Sequence, residues 1–316
     1  MKKIVTLTAN PALDIYSEVE KVEPEVKMRS ESPKKDPGGG GVNISRVLHR
    51  LGQPNKAIYT CGGFTGDIFA KLLDDEHINH EPFTVKNDLR QNFGVFENST
   101  GELYRFGFPG AELEESEATA LLEKLEKSLD DTDFLVASGS LPPGAGTNFY
   151  AKVARIAQEK KVKFILDTSG KALAEGLEQG AYLVKPNLDE LQDLTGQKAE
   201  TEEHRKEMLQ KILDNYPVEV VVHSLGPGGA FLATKNGIKH FPAPKVKASS
   251  SIGAGDSMVA GIVYSLANKK SLEEAVLFGL ACGSATLISP GTELLKKEDA
   301  ERLYKELRET QKQLSK

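Results

Sequence analysis

The chain has 316 residues, of which 39% are hydrophobic and 27% charged, an ordinary balance for a soluble globular protein of one large or two modest domains. Its formal net charge of −6 argues against binding to nucleic acid or to an anionic membrane, because either partner needs a basic face. Two cysteines cannot form a disulfide framework, and the sequence has neither a signal peptide nor an apolar stretch of about 18 residues, so we expect a cytoplasmic protein.

Short β-branched runs alternate with amphipathic stretches along most of the chain. Runs with the composition of strands cover 2–8, 56–61, 133–140, 163–169, 182–187 and 218–226. Stretches with apolar residues three and four positions apart predict helices at 43–52, 65–77, 115–129, 148–161 and 202–216. A hairpin turning at Asn236 and Gly237 and a solvated helix over 296–316 with a fraying end follow. This alternation predicts a parallel sheet with helices on both faces, whose ligands bind at the carboxyl ends of the strands.

Two segments, 11–35 and 88–109, interrupt this alternation. Both consist of extended runs, and the sequence NSTGE in the second supplies a hairpin turn. We interpret them as a small separate sheet, a lid over a core formed by 1–10, 36–87 and 110–316. The alternative is a pair of decorated surface loops.

Four consecutive glycines precede a predicted helix in DPGGGGVNISR, at 36–46. Glycine lets the backbone approach a ligand closely, and Asn43 can both donate to and accept from hydroxyl groups. The run is not a phosphate loop of the Walker type, which ends in Gly-Lys-Ser/Thr, nor a dinucleotide fingerprint, which needs Gly or Ala at Asn43. A ligand loop and a flexible turn both remain compatible with it.

A strand ending in Lys-Pro-Asn leads into an acidic first helical turn in VKPNLDEL, at 184–191. Asn187 and Glu190 would lie near the carboxyl end of a strand, where they could hold hydrated Mg²⁺ through oxygen ligands and water. The same pair has the spacing of a helix capping box, and the two roles are compatible.

The sequence HSLGPGGA, at 223–230, is a predicted strand followed by a glycine turn. Such a turn could admit the phosphates or the base edge of a nucleotide. The start of a plain hairpin fits equally well.

Glycines and an acid stand where a helix begins in SSSIGAGDS, at 249–257. The backbone amides of 252–256, at the positive end of the helix dipole, could hold phosphoryl oxygens during transfer. Asp256 at the same point could accept the proton of an attacking hydroxyl. A plain helix cap uses the same amides and stays open as an alternative.

The predicted lid region contains three cations, Lys27, Arg90 and Arg105. Arginine offers bidentate contact to a phosphate, and lysine adds a point charge. Each cation alone could be a solvated surface charge, and only their convergence in space would distinguish the two cases.

The motifs occur together in the order of a known family. GGGGVNISR, SGSLPPG, DTSG, KPNLDEL, SLGPGGA and GAGDSM resemble the ribokinase-like sugar kinases over essentially the whole chain, and most of all their phosphofructokinase B branch. The resemblance implies ATP-dependent phosphorylation of a sugar hydroxyl on a ribokinase-like three-layer α/β/α sandwich with a central, mainly parallel sheet. It also implies a small β-sheet lid that commonly serves as a homodimer interface.

The same resemblance assigns roles to individual positions. The catalytic base would be Asp256, with the anion hole formed by Gly253, Ala254 and Gly255. The residues on the substrate side would be Asp14, Gly39, Gly40, Asn43 and Ser138. Independently of the resemblance, the charges of Lys27, Arg90 and Arg105 suggest that they hold a substrate phosphate. ATP would be bound by Lys185, Asn187, Ser224, Gly226, Gly229, Gly253 and Gly255. Mg²⁺ would be held through water by Asn187 and Glu190, and a monovalent cation such as K⁺ by Ser250, Ile252, Ser289 and Gly291.

The identity of the sugar depends on finer features. Convergent lid cations favour a phosphorylated sugar over a neutral one. In the 1-phosphofructokinases and tagatose-6-phosphate kinases the glycine motif usually reads Gly-Gly-Lys-Gly, and Gly40 occupies the lysine place here. RQN at 90–92 and GELYRFGFPGAEL at 101–113 resemble the 6-phosphofructokinases of the family. We therefore predict that the substrate is fructose 6-phosphate, phosphorylated at its 1-hydroxyl. The alternative substrates are tagatose 6-phosphate, fructose 1-phosphate and, less favoured, a nucleoside. A further alternative is a sugar-phosphate sensor without catalytic activity.

Overall fold

The computed structural model describes residues 2–30 and 33–314, so the predicted fraying of the last two residues lies outside the described part. Within it the chain forms thirteen strands: β1 Ile4–Thr8, β2 Ala12–Val19, β3 Lys34–Gly38, β4 Asn55–Cys61, β5 His80–Thr84, β6 Arg90–Glu97, β7 Glu102–Phe106, β8 Phe134–Ser138, β9 Lys163–Asp167, β10 Ala181–Val184, β11 Val218–Ser224, β12 Ala230–Thr234 and β13 Gly237–Phe241.

The described residues also form ten α-helices: α1 Gly40–Arg50, α2 Gly63–Asp75, α3 Glu115–Ser128, α4 Phe149–Glu159, α5 Gly170–Gln179, α6 Leu188–Thr195, α7 Glu202–Asn215, α8 Ala254–Ala267, α9 Leu272–Leu287 and α10 Lys297–Leu314. None of them is both long and apolar enough to cross a bilayer.

The larger sheet has nine strands in the order β13-β12-β11-β10-β9-β8-β1-β4-β5. The strands from β11 to β5 pair in parallel, whereas β12 and β13 form an antiparallel hairpin at one edge. Parallel strands need long crossovers, and the helices between them supply these. The carboxyl ends of the parallel strands consequently lie along one edge of the sheet.

Alternating side chains of the strands enter separate hydrophobic cores on the two faces. In β8, Leu135 packs into one core with α3, α4 and α5, and Val136 packs into the other with α1, α8 and α9. Both side chains are fully buried, as expected where helices cover both faces of a parallel sheet. The structure thus confirms the predicted three-layer α/β/α arrangement with a mainly parallel sheet.

A second, smaller sheet has the strand order β3-β2-β6-β7, and we call it the lid sheet. It draws one strand pair from each of the two segments that interrupt the alternation, with β2 and β6 pairing in parallel. Strand β3 continues to Gly38, beyond residue 35 where the predicted segment ends, because residues 36–38 pair with Ala12–Asp14 of β2. The division of the chain into a core domain and a lid domain stays a prediction.

Candidate active site

Polar side chains converge where neighbouring parallel strands end. Ser138 and Asp167 are the last residues of β8 and β9, and Lys185 follows β10 directly. Because β8, β9 and β10 are adjacent in the sheet, their ends place these three residues together. Ligands of open α/β sheets bind at this edge.

Asp256 is the acid in the first turn of α8. The side-chain amide of Asn43, in the first turn of α1, donates a hydrogen bond of 2.9 Å to Asp256 Oδ2. Desolvation raises the pKa of Asp256 to about 6, the negative charge of Asp167 adds to the rise, and the Asn43 bond and the Lys185 charge oppose it. The result is an oriented carboxylate that titrates near neutral pH.

A buried ion pair lies beside Asp256. The Lys185 ammonium is 3.2 Å from Asp167 Oδ1, and Ser138 Oγ donates to the other Asp167 oxygen at 3.4 Å. Burial lowers the pKa of Lys185, but the charges of Asp167, Glu190 and Asp256 outweigh this, so the net shift is upward and the ammonium stays charged. This ammonium lies only 3.6 Å from where a Cβ on residue 255 would stand, which brings it to the N-terminus of α8.

Two glycines of the predicted motifs are required by geometry. Gly253, at the N-cap of α8, has a left-handed φ of 72°, and a Cβ there would lie 2.7 Å from Leu294 Cδ2. A Cβ on Gly40, at the start of α1, would overlap the hydroxyl of Ser138. Larger residues at either position would displace the backbone that begins each helix.

A cavity of about 240 Å³ opens between the lid sheet and the start of α8, lined by Asp14, Asn92, Arg105 and Ile252 among others. Asn92 donates a hydrogen bond of 2.9 Å to Asp14 Oδ1. Burial raises the pKa of Asp14, whereas the Asn92 bond and the charges of Arg105 and Arg90 lower it. The cavity therefore combines hydrogen-bonding groups for hydroxyls with a cation.

The three predicted lid cations have different surroundings. Arg105, on β7, is exposed and lines the cavity. The Arg90 guanidinium donates to three backbone carbonyls, those of Pro11, Phe108 and Asn10, at 3.3, 2.6 and 3.0 Å. Lys27 is exposed between β2 and β3 and is not among the described residues that line the cavity. Arg105 and Arg90 are near enough to Asp14 for their charges to lower its pKa.

Asn187 and Glu190 form the predicted capping box of α6. Asn187 Oδ1 accepts from the Glu190 amide and Glu190 Oε2 accepts from the Asn187 amide, both at 2.9 Å. Burial raises the pKa of Glu190, and the backbone bond and the Lys185 charge lower it. The second carboxylate oxygen of Glu190 is not used in this box.

Within the described part of the chain, no three or more His, Cys, Asp or Glu side chains are grouped so that they could hold a metal ion. Mg²⁺ seldom needs such a cage, because it keeps several waters and is commonly held by one or two carboxylates together with substrate phosphates. The Glu190 carboxylate fits that mode of binding.

The glycine turn after β11 lies against the Lys185 segment, because the Ser224 amide donates to the Pro186 carbonyl at 3.1 Å. Gly226 and Gly229 both have positive φ, 56° and 94°, and enclose a short 3₁₀ turn. The structure thus brings the residues predicted for the nucleotide side into one region.

The four residues predicted for a monovalent cation lie on two neighbouring loops. The amides of Ser249 and Ser250 both donate to the carbonyl of Leu287, which joins the loop before α8 to the last residue of α9, where the second loop begins. Ser289 Oγ donates to the Ala285 carbonyl at 3.3 Å, and Gly291 has a φ of 57°. Ile252 stands on the first of these loops, beside the cavity.

Asp167 and Asn92 are residues at this site to which the sequence assigns no role, although Asn92 belongs to RQN at 90–92. Asp167 belongs to the DTSG motif, and its position as the last residue of a buried strand is the signal that could have singled it out. The ion pair of Asp167 with Lys185 cannot be predicted without knowing that β9 and β10 are neighbours in the sheet.

Comparison with known proteins agrees with this geometry. A sequence model described as the pfkB family of carbohydrate kinases matches residues 1–299. The chain is 39% identical over 302 residues to the ATP-dependent 6-phosphofructokinase isozyme 2 of Mycobacterium tuberculosis, covering 96% of this chain and 89% of that one. It is also 39% identical over 306 residues to the Escherichia coli protein of that name, covering 96% and 98%. The crystal structure of Escherichia coli phosphofructokinase-2 in complex with potassium superimposes with a TM-score of 0.92 at 38% identity, covering 98% of this chain and all of that one.

Proposed function

The chain belongs to the pfkB family of carbohydrate kinases, and on this basis we propose that it transfers the γ-phosphoryl group of ATP to the 1-hydroxyl of fructose 6-phosphate. The fold is ribokinase-like, as the motifs predict, and the protein is a sugar-phosphate kinase. The observation that carries the proposed mechanism is the Asp256 carboxylate, held by Asn43 at the N-terminus of α8 with the Lys185 ammonium beside it.

In the proposed reaction Asp256 is the general base. The oxygen of the sugar hydroxyl attacks the γ-phosphorus, the bond to the β–γ bridging oxygen breaks, ADP leaves, and the hydroxyl proton passes to Asp256. A base that titrates near 6 is ionised at neutral pH and still accepts a proton readily.

The N-terminus of α8 would stabilise the charge that is redistributed during transfer. Amides of Gly253, Ala254 and Gly255 lie at the positive end of the helix dipole, and the Lys185 ammonium adds a full charge nearby. Asp167 would hold that ammonium in place through their 3.2 Å contact. When bound, Mg²⁺ would neutralise charge on the phosphate oxygens, with Glu190 as its proposed anchor and Asn187 beside it.

The cavity under the lid sheet suits a sugar phosphate. Asp14 and Asn92 offer acceptors and donors for sugar hydroxyls, and Arg105 offers a cation for the phosphate group. Gly40 leaves no room for the lysine that is usual at this place in the 1-phosphofructokinases and tagatose-6-phosphate kinases, since Ser138 fills that space. This favours fructose 6-phosphate over the two other ketohexose phosphates.

We also propose a monovalent cation site between the loops that carry Ser250 and Gly291. The Escherichia coli relative was crystallised in complex with potassium, which supports the assignment. A cytoplasmic location stays a prediction from the sequence.

We further propose that the lid sheet mediates a homodimer. Phe93 and Phe106 on the sheet, and Phe108 just after β7, have 40%, 55% and 51% of their surface accessible. Phe93 and Phe106 also border the cavity. Exposed apolar groups clustered on one small sheet are typical of a protein interface.

The experiment that tests the substrate is ATP turnover against fructose 6-phosphate, fructose 1-phosphate, tagatose 6-phosphate, free fructose and adenosine. We expect the highest kcat/KM with fructose 6-phosphate, because Arg105 favours a phosphorylated sugar over fructose and adenosine, and the closed space at Gly40 disfavours the two other ketohexose phosphates. The Asp256→Asn protein, purified in the same way, serves as the control for contaminating kinases and should be nearly inactive on every substrate. The substrate assignment is wrong if fructose 6-phosphate is not among the best two.

A further inference from the structure

A buried arginine joins three elements behind the sugar side of the site. Arg46, on α1, is 2% exposed, and its guanidinium donates through Nε and Nη2 to the carboxylate of Glu76, the residue that caps α2. Nη1 donates to the Pro37 carbonyl at 2.9 Å, and Nη2 lies 3.5 Å from Asp36 Oδ1. Pro37 and Asp36 belong to β3, so Arg46 ties this lid strand to the core immediately before the glycine run.

Asp36 extends the connection in two directions. Its other carboxylate oxygen accepts a hydrogen bond from the buried hydroxyl of Thr292, in the loop after α9. Asp36 is also the register partner of Asp14 across β2 and β3, so the two side chains project from the same face of the lid sheet. We therefore expect a displacement of Asp36 to change the position of Asp14 as well.

The negative charges of Asp14 and Asp36 explain why a cation is needed beside them. Two carboxylates stand opposite each other on adjacent strands, and like charges in such a pair repel. After burial, the charge of Asp36 contributes to the raised pKa of Asp14. Arg46 and the more exposed Lys34, whose ammonium is 3.5 Å from Asp36 Oδ2, supply the compensating positive charges.

We propose that Arg46 is a positioning residue for the sugar-phosphate half of the site, acting through Asp36 on Asp14 and on the placement of the lid sheet. The inference rests on the proposed function, because it assigns Asp14 to the sugar. Arg46 itself does not line the substrate cavity. A small misplacement is sufficient for a large effect, since a shift of about 1 Å in a positioning group can cost up to about 10²-fold in rate.

The decisive measurement compares how much the KM for fructose 6-phosphate and the KM for ATP each change between the wild-type and the Arg46→Lys protein. Lysine keeps one positive charge but cannot make the several directed bonds of the guanidinium. We expect the KM for fructose 6-phosphate to rise by about tenfold or more while the KM for ATP changes by less than about threefold. A purely structural role would lower the amount of active protein, and so the apparent kcat, and leave both KM values unchanged.

Glu76→Gln provides a second, milder variant in case Arg46→Lys fails to fold, because Glu76 is not among the described residues that line the cavity, whereas Thr292 is. Glutamine has nearly the same volume but weakens the charged hydrogen bonds that hold the Arg46 guanidinium. We expect a rise in the KM for fructose 6-phosphate of about fivefold, the effect of losing one hydrogen bond. Because both variants act on the same guanidinium, their combined effect should be smaller than the product of the two separate effects.

Ser45→Ala is the matched control. Ser45 precedes Arg46 on α1, is fully buried, and donates to Asn55 at the start of β4, away from the lid sheet. It should lower thermal stability without changing either KM.

The outcomes separate this inference from the function on which it rests. A wild-type protein that phosphorylates no ketohexose phosphate would refute the proposed function and, with it, the inference. An active wild type, combined with variants that change both KM values equally or neither, would refute the positioning role alone.

Discussion

The Asp256 carboxylate must be ionised to accept a proton, although its surroundings favour the protonated form. Desolvation and the Asp167 charge raise its pKa to about 6, and Asn43 and Lys185 limit that rise. The same neighbours orient the carboxylate and keep it ionised at neutral pH. Strongly shifted carboxylates of this kind are typical of catalytic positions.

The first prediction concerns pH. Because the base must be deprotonated, log kcat/KM should fall as the pH drops through about 6 and level off above it. Asp256→Asn should lower turnover by about 10² to 10⁴-fold, the usual contribution of a general base, while ATP still binds. The measurement is kcat/KM for both proteins between pH 5 and 8.

The Asp256→Asn profile is also the control for the substrate, since a sugar phosphate has its own second pKa near 6. A step that remains in the variant belongs to the substrate, and a step that disappears belongs to Asp256. Turnover close to the wild-type value in the variant would refute the assignment of the base.

Arg105 and Arg90 provide a second prediction at this scale, because their environments differ. Arg105→Ala should weaken the affinity for fructose 6-phosphate far more than that for ATP, with little loss of stability, since Arg105 is exposed and lines the cavity. Arg90→Ala should also lower the melting temperature, because it removes the donors of three backbone carbonyls. Calorimetric titration with each ligand measures the affinities, and thermal unfolding measures the melting temperature, so together they distinguish the two variants.

Arg302→Ala is the control for the loss of an arginine. It removes an exposed arginine of α10 and should change neither affinity. An equal effect of Arg105→Ala on both ligands would contradict its assignment to the sugar phosphate.

At the level of elements, the regular spacing of apolar residues predicts several helices. It predicts α2, α3, α4 and α7, each of which buries one side. It also predicts α1, although every residue from Gly41 to Leu48 of that helix is buried. Helix α9 was not predicted, since residues 272–287 are apolar on all sides. The structure explains this pattern, because α8 and α10 cover the helix and almost all of it is buried.

Strand β3 is an element that its own sequence does not predict. Its sequence, KKDPG, has little strand propensity, and the predicted lid segment ended inside it at residue 35. Pairing with β2 and the Arg46 bonds make it a strand, and the residues that supply both lie outside the strand's own sequence. The capping box of α6 was predictable because it is local, whereas the Asp167–Lys185 pair required the order of the strands.

For the whole molecule, the motifs and their order predict the family and the layered fold, because each motif ends a strand or begins a helix at the same edge of the sheet. What they cannot predict is which groups of the lid sheet reach the cavity. Lys27 illustrates this, since its charge groups it with the two arginines, yet it is not among the described residues that line the cavity. The position of the Lys27 side chain depends on the path of the loop between β2 and β3, whose sequence has no periodic pattern.

The proposed dimer gives a prediction at the same scale. Phe106→Glu places a charge on the exposed apolar side of the lid sheet and should convert the protein from dimer to monomer in sedimentation experiments. Ala120→Glu, which adds the same charge to an exposed position of α3, should leave the assembly unchanged. A wild-type monomer, or a Phe106→Glu dimer, would contradict the proposed interface.

The parallel pairing of β2 with β6 also has a consequence for how the chain folds. Ala12 pairs with Arg90, and the intervening segment contains α1, β4, α2 and β5. Closing so long a loop is entropically costly, so pairings of this kind form late. We expect the lid sheet to assemble only after this first part of the core has folded, so a nascent chain cannot bind its sugar before that stage. The lid sheet also cannot be transplanted as one continuous segment, which means that insertions, deletions and domain exchange can alter it only together with the core that separates its halves.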